Sequence, residues 1–109
     1  GSGTADKDAR LCQVASVNDE VVGFVLGDIR GEEFDLPPCG WILNVGVRPA
    51  YRNQKIGQRL LSKLLDYIAS QNISTVRTMV GWENAEMLSF FGSLGFDCGP
   101  YLPLEKRLH

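Results

Sequence analysis

Histidine is almost missing from this chain: the one copy is His109, at its very end. Cysteine is scarce too, with Cys12, Cys39 and Cys98 widely spaced and no CxxC pair. A zinc centre needs clustered thiolates and imidazoles, so the usual patterns are excluded and no metal is expected. An odd set of separated cysteines fits free thiols in a reducing compartment better than a disulfide framework, which points to the cytoplasm. Positive charge is also in short supply, with 11 Lys and Arg against 13 Asp and Glu and a formal net charge of -2. Nucleic-acid binding usually rests on a basic excess, so no nucleic-acid partner is expected. No apolar run approaches the roughly 18 residues of a membrane span, and no basic-then-apolar leader opens the chain. No membrane partner is expected. The nucleotide-binding patterns GxxxxGK[ST] and GxGxxG are absent as well.

What is present suits one small fold. The 109 residues, 44% hydrophobic and 22% charged, suffice for a single core of ordinary soluble composition. Gly1-Ser2-Gly3 looks like a cloning remnant or a flexible end. Residues 1–9 are therefore set apart, and residues 10–109 are read as one domain without internal repeats.

Leu11 to Val17 is rich in β-formers and reads as a strand, Asn18-Asp19-Glu20 as a turn, and Val21 to Ile29 as a second strand closing a hairpin. Gly31 to Gly40 carries two prolines and three acids and reads as a loop. Trp41 to Val47 is a nearly continuous apolar run, as expected of a strand covered on both faces. Pro49 ends it, having no donor for a ladder. Ile56, Leu60, Leu61, Leu64, Leu65 and Ile68 then form one stripe at the helical period, predicting a helix from about Ile56 to Ser70. Each such side chain is worth about 1.5–3 kcal/mol when fully buried. Ser74 to Val80 reads as a strand. Asn84 opens a shorter helix with Met87, Leu88, Phe91 and Leu94 on one side, and Gly95 stops it. Leu102, Leu104 and Leu108 suggest a last strand broken by Pro103. The predicted order is β-β-β-α-β-α-β, an α/β (α+β) fold.

The passage from Val47 into the longer helix is where chemistry is expected. The first amides of a helix have no internal partner, and the helix dipole places about half a positive charge there. Arg52, Asn53, Gln54, Lys55, Ile56, Gly57 and Gln58 cross this transition. Gly57 has no side chain to keep a ligand from the backbone, and Arg52, Lys55 and Arg59 add positive charge. A diphosphate fits such a seat. An ordinary strand–helix connection with polar surface residues has the same look.

The second helix decides between these readings. Two separated segments, Val45 to Gly57 with its V-x-V-x-P and its R-N-Q-K-I-G, and Asn84 to Phe96 with N-x-x-A ending in L-G-F, resemble the GNAT superfamily of N-acetyltransferases. The resemblance spans about residues 11–108. It implies a mixed, mostly antiparallel central sheet of about six strands with two helices, lacking the usual first strand and N-terminal helices. It also implies acetyl-CoA as co-substrate and a small-molecule or peptide amine as acceptor, acetylated by direct attack on the thioester. By that resemblance Val45, Gly46 and Val47 line the pantetheine arm, and the Val45 backbone N–H steadies the acetyl carbonyl. The amides of Asn53 to Gln58 beside Arg52 hold the pyrophosphate, and Asn84 and Phe91 border the cofactor. Asn84 is equally suited to be a helix N-cap.

Three departures from the family pattern stand out. Lys55 occupies the place of the pattern's first glycine. Phe91 stands where relatives carry a tyrosine acid and has no proton to give, which suits core packing. Trp41 and Met79 stand where relatives place a glutamate base. The remaining acids, Glu32, Glu33, Asp35 and Glu83, read as solvated charges, Cys39 and Cys98 as reduced thiols, and the general acid and base stay unassigned; a water chain can serve instead. The short front implies a trimmed chain, a compact variant or one completed by a partner, for which a homodimer is the natural form. The alternative function is a non-catalytic acyl-CoA-binding or interaction module. A plain α/β domain without cofactor is the third reading.

Overall fold

The computed structural model describes residues 11–31 and 36–109. They belong to two compact units, Gly1–Met79 and Val80–His109.

In the first unit, β1 (Cys12–Val17) and β2 (Glu20–Arg30) form a hairpin, followed by β3 (Cys39–Val47), a 3-10 turn at Pro49–Tyr51, α1 (Ile56–Ser70) and β4 (Val76–Thr78). Val17 pairs with Glu20, leaving Asn18 and Asp19 as a two-residue loop with φ of 51° and 64°. That left-handed pair matches the twist of the strands, and Asn and Asp tolerate it. The sheet order is β1-β2-β3-β4, antiparallel except for the parallel pair β3–β4. The class is thus mixed α and β with a mostly antiparallel sheet, as expected.

The core of this unit lies between the sheet and α1. Val22, Val25 and Ile42 are buried, and so are Leu60, Leu61, Leu64 and Ile68. The helix approaches closely because the sheet offers glycines beneath it. A Cβ on Gly27 would stand 2.9 Å from Leu64 Cδ2, and one on Gly40 would stand 2.9 Å from Ile68 Cδ1.

Several expectations need correction. β3 starts at Cys39, inside the span read as loop, because Cys39 and Gly40 are buried and Gly40 N–H bonds the Thr75 carbonyl at 2.9 Å. β3 is not covered on both faces: Leu43 is 47% exposed. Alternate side chains of a strand leave the face that α1 covers. The strand expected over Ser74 to Val80 shrinks to three residues, Val76–Thr78, because this segment pairs with β3 only at Gly40, Trp41 and Ile42 and leaves the rest of that edge open.

In the second unit, α2 (Ala85–Ser93) begins at Asn84, whose Oδ1 accepts the Met87 N–H at 3.1 Å. Phe91 is buried, whereas Leu88 is 45% exposed, so the expected stripe is only partly inward. The predicted last strand does not form. Leu102, Leu104 and Leu108 are 84%, 91% and 76% exposed, and no strand occurs beyond residue 93 among the described residues. Alternating leucines need a ladder partner to become a strand, and Pro100 and Pro103 each lack a donor for one. The order is β-β-β-α-β-α, and the described sheet has four strands rather than about six.

Candidate functional site

β3 parts from β4 at Ile42. Their ladder has three rungs, Gly40–Val76, Trp41–Arg77 and Ile42–Thr78, and Thr78 Oγ1 donates to the Ile42 carbonyl at 2.9 Å. On the other side β2 follows β3 as far as Val47. From Leu43 to Val47, β3 therefore has a strand on one side only among the described residues.

A bulge lies at the parting. Leu26 pairs with Asn44 and Gly27 with Ile42, so Leu43 is the extra residue. In an antiparallel ladder, successive residues aim their N–H and C=O alternately toward the partner and away from it. Arg48 donates its N–H to the Val22 carbonyl at 2.8 Å. By alternation Gly46 and Asn44 also face β2, and Val45 and Val47 face the gap. Ile42, at another even position, faces β4, and the inserted Leu43 accounts for the change of phase. The side chain of Arg52 agrees, since its Nε donates to the Val47 carbonyl at 3.3 Å from the gap side. The N–H and C=O of Val45 and the N–H of Val47 have no partner among the described residues. Gly46 lies under the Phe24 ring, with 2.7 Å between a Cβ placed there and Phe24 Cε1.

The far end of this gap meets the start of α1. Arg52 N–H donates to the Pro49 carbonyl at 3.3 Å, and the helix's first internal bond is Arg59 N–H to the Lys55 carbonyl at 3.0 Å. The N–H groups of Asn53, Gln54, Lys55, Ile56, Gly57 and Gln58 have no acceptor among the described residues. No side chain caps the helix, and its first turn holds no acid. Asn53 and Lys55 adopt left-handed φ of 65° and 62°, a curl of the kind that gathers amides into an anion-binding concavity. The sequence predicts the uncapped amides, but the left-handed curl at Asn53 and Lys55 is hidden in it except for one signal, the lysine standing in a glycine's place. Gly57 lies on the buried stripe of α1 with Leu60, Leu61, Leu64 and Ile68. It thus serves packing, whatever else it does.

The charges sort themselves. Arg48 pairs with Glu20. Lys55 and Arg59 are exposed at the start of α1 and have no ion-pair partner among the described residues. The structure brings together Val45, Gly46, Val47 and Arg52 to Gln58 in one unit. Asn84 and Phe91 belong to the other, where Asn84 caps α2 and the Phe91 ring packs edge to face on Phe90 and Phe96 at 5.2 and 5.1 Å. Glu32, Glu33 and Asp35 lie outside the described residues. Cys39 is buried, Cys12 and Cys98 are exposed, and all three are free thiols. Trp41 is half-buried, with the Arg30 guanidinium 5.3 Å from its ring centroid.

An open strand edge leading to uncapped helix amides can hold a long molecule with amide groups in its middle and phosphates at one end. The model of the acetyltransferase (GNAT) family matches residues 3–96. Among solved structures, the chain is similar to the aminoglycoside N-acetyltransferase AAC(6')-Iy in complex with CoA, with TM-score 0.80 and 16% identity over 97% of this chain and 86% of that one. It is also similar to the aminoglycoside 6'-N-acetyltransferase AAC(6')-IG from Acinetobacter haemolyticus, with TM-score 0.75 and 15% identity over 99% and 82%. The third is Chaetomium thermophilum Naa20 in complex with a bisubstrate analogue, with TM-score 0.74 and 24% identity over 86% and 55%. At these identities the likeness establishes a shared fold.

Proposed function

Since the chain belongs to the GNAT family of acetyltransferases, we propose that it transfers an acetyl group from acetyl-CoA to a primary amine by direct attack of the amine on the thioester. The observation that carries this reading is the unpaired edge at Val45 and Val47 running into the uncapped start of α1. Val45 and Val47 bond the pantetheine amides as a missing strand would. The amides of Asn53 to Gln58, with Arg52 and Lys55 beside them, hold the pyrophosphate. With the phosphates at that end, the thioester lies toward Val45, and the Val45 N–H stabilises the oxyanion. One such donor is worth about 2.7–4 kcal/mol in the transition state, and orientation of the two reactants contributes about 7–11 kcal/mol. Neither contribution needs a particular side chain, so a phenylalanine at 91 is compatible with turnover.

Thermal-shift titration with acetyl-CoA tests the seat, because a ligand that binds the folded state raises the melting temperature by mass action. No shift at millimolar acetyl-CoA would remove the reading. A thiol-release screen over aminoglycosides, peptides with free N-termini and simple alkylamines tests transfer. A clear shift with no thiol release for any amine would favour a module that holds acyl-CoA without turnover.

A further inference from the structure

On the sheet face turned away from α1, three side chains stand in one row: Asp28 on β2, Trp41 opposite it on β3, and Arg77 opposite Trp41 on β4. Arg30, two residues along β2, leans back over this row. Its Nε is 3.5 Å from Asp28 Oδ2, and its Cζ is 5.3 Å from the Trp41 ring centroid. Asp28 Oδ1 accepts the Ile29 N–H at 2.9 Å, which holds the carboxylate in place. An aromatic face beside an oriented carboxylate is a cation-binding pair, and here it already carries a cation from the chain itself.

The row lies at a telling place. If the phosphates sit at the start of α1, as the acyl-transfer reading has it, the acyl end points along β3 toward Ile42, where the gap closes. Trp41 is the next residue, and Asp28 lies one strand spacing away, about 4.8 Å. We infer that the Asp28 carboxylate and the Trp41 ring form a binding subsite for one primary ammonium group of the acceptor, and that Arg30 fills this subsite while no acceptor is bound. The inference rests on the acyl-transfer reading for what the subsite serves. The Arg30 and Asp28 side chains are 41% and 45% exposed, and an exposed ion pair of this kind is weak enough for a ligand cation to displace. Arg77 stands opposite Trp41 in the register of β3 and β4. An amine held here as an ammonium is an anchor and not the attacking group, so the subsite suits an acceptor that carries a second, unprotonated amine.

The two members of the ion pair then have opposite effects, which no structural pairing would produce. Trp82 is 87% exposed and is the second of two tryptophans, so Trp82→Phe leaves Trp41 as the reporter. In that background, n-butylammonium titrated at constant ionic strength changes the tryptophan fluorescence saturably. Asp28→Asn weakens this binding at least about tenfold, the expected scale for losing a paired charge. Arg30→Gln tightens it severalfold, because the competing internal cation is gone. Asp28→Asn binding as tightly as its parent, or Arg30→Gln binding no tighter, would overturn the assignment. Should Asp28→Asn fail to fold, Arg30→Gln alone decides, since its expected effect is a gain. Saturable butylammonium binding by a protein that shows no response to acetyl-CoA would sink the acyl-transfer reading and leave the subsite standing.

Discussion

The carbonyl of Phe91 accepts the N–H of Phe96 at 3.1 Å, while the two rings meet edge to face with 5.1 Å between centroids. Between them Gly95 donates its N–H to the Gly92 carbonyl at 3.1 Å and holds φ at 91°. These two bonds and the apolar clasp are a Schellman ending of α2. Phe91 is thus tied at both its backbone and its ring.

Gly95→Ala is accordingly expected to destabilise the protein. A Cβ meets no atom within 4 Å there, so crowding is not the cause. The cost is the left-handed backbone itself, about 1–2 kcal/mol for a residue with a side chain. Urea unfolding followed by far-ultraviolet circular dichroism measures it, and an unchanged midpoint would contradict the assignment of the cap.

Lys55 has the same backbone problem without the glycine. At φ 62° and ψ 18° it is the N-cap of α1 and offers no side-chain bond to the helix. Lys55→Gly should therefore raise stability by up to about 1 kcal/mol, while Lys55→Ala should give no gain. If the ammonium also attracts the cofactor's phosphates, both variants weaken acetyl-CoA binding equally. Stability and affinity then move in opposite directions in the glycine variant. Melting temperature and acetyl-CoA affinity, measured on the same three proteins, check both halves.

These two positions show what a one-dimensional reading can see. The bounds of α1 agree with the predicted Ile56 to Ser70 because a narrow apolar stripe and a long helix carry the same period. Gly95 announced its stop because left-handed residues favour glycine. The curl at Lys55 showed only as a departure from a family pattern, since lysine carries no preference for it. The bulge at Leu43, which sets which amides face the gap, had no sequence mark at all: leucine between isoleucine and asparagine fits a regular strand equally well. Leu102, Leu104 and Leu108 misled in the opposite sense, because alternation describes a strand's faces but does not supply the edge it must pair with. Candidate residues along one connection were readable, and the direction of each N–H was not.

Thr78 sits where that direction begins to matter. Its hydroxyl bonds the Ile42 carbonyl on the last rung before the gap. Thr78→Val keeps the shape and removes the donor, a loss of about 0.5–1.5 kcal/mol for such a bond. The expected result is a KM for acetyl-CoA raised about two- to tenfold with kcat little changed, since the gap's width is loosened and the reacting end is untouched. Thr78→Ser keeps the hydroxyl and should restore the KM. If serine and valine behave alike, the hydroxyl has no part in setting the gap.

Gln58 separates the anion seat from helix stability most cleanly. It is the third residue of α1, in a first turn that holds no acid. A glutamate there favours the helix dipole, adding about 0.3–1 kcal/mol to stability. The same charge repels a bound diphosphate. At about 4 Å the repulsion runs from roughly 1 kcal/mol in water to roughly 4 kcal/mol near a protein surface. Gln58→Glu should therefore melt slightly higher than the parent yet bind acetyl-CoA at least about fivefold more weakly. The deficit should shrink as salt is added, because screening acts on the repulsion. A variant that melts higher and binds acetyl-CoA as well as its parent would show that the phosphates rest somewhere other than on the amides of Asn53 to Gln58, while leaving the helix argument intact.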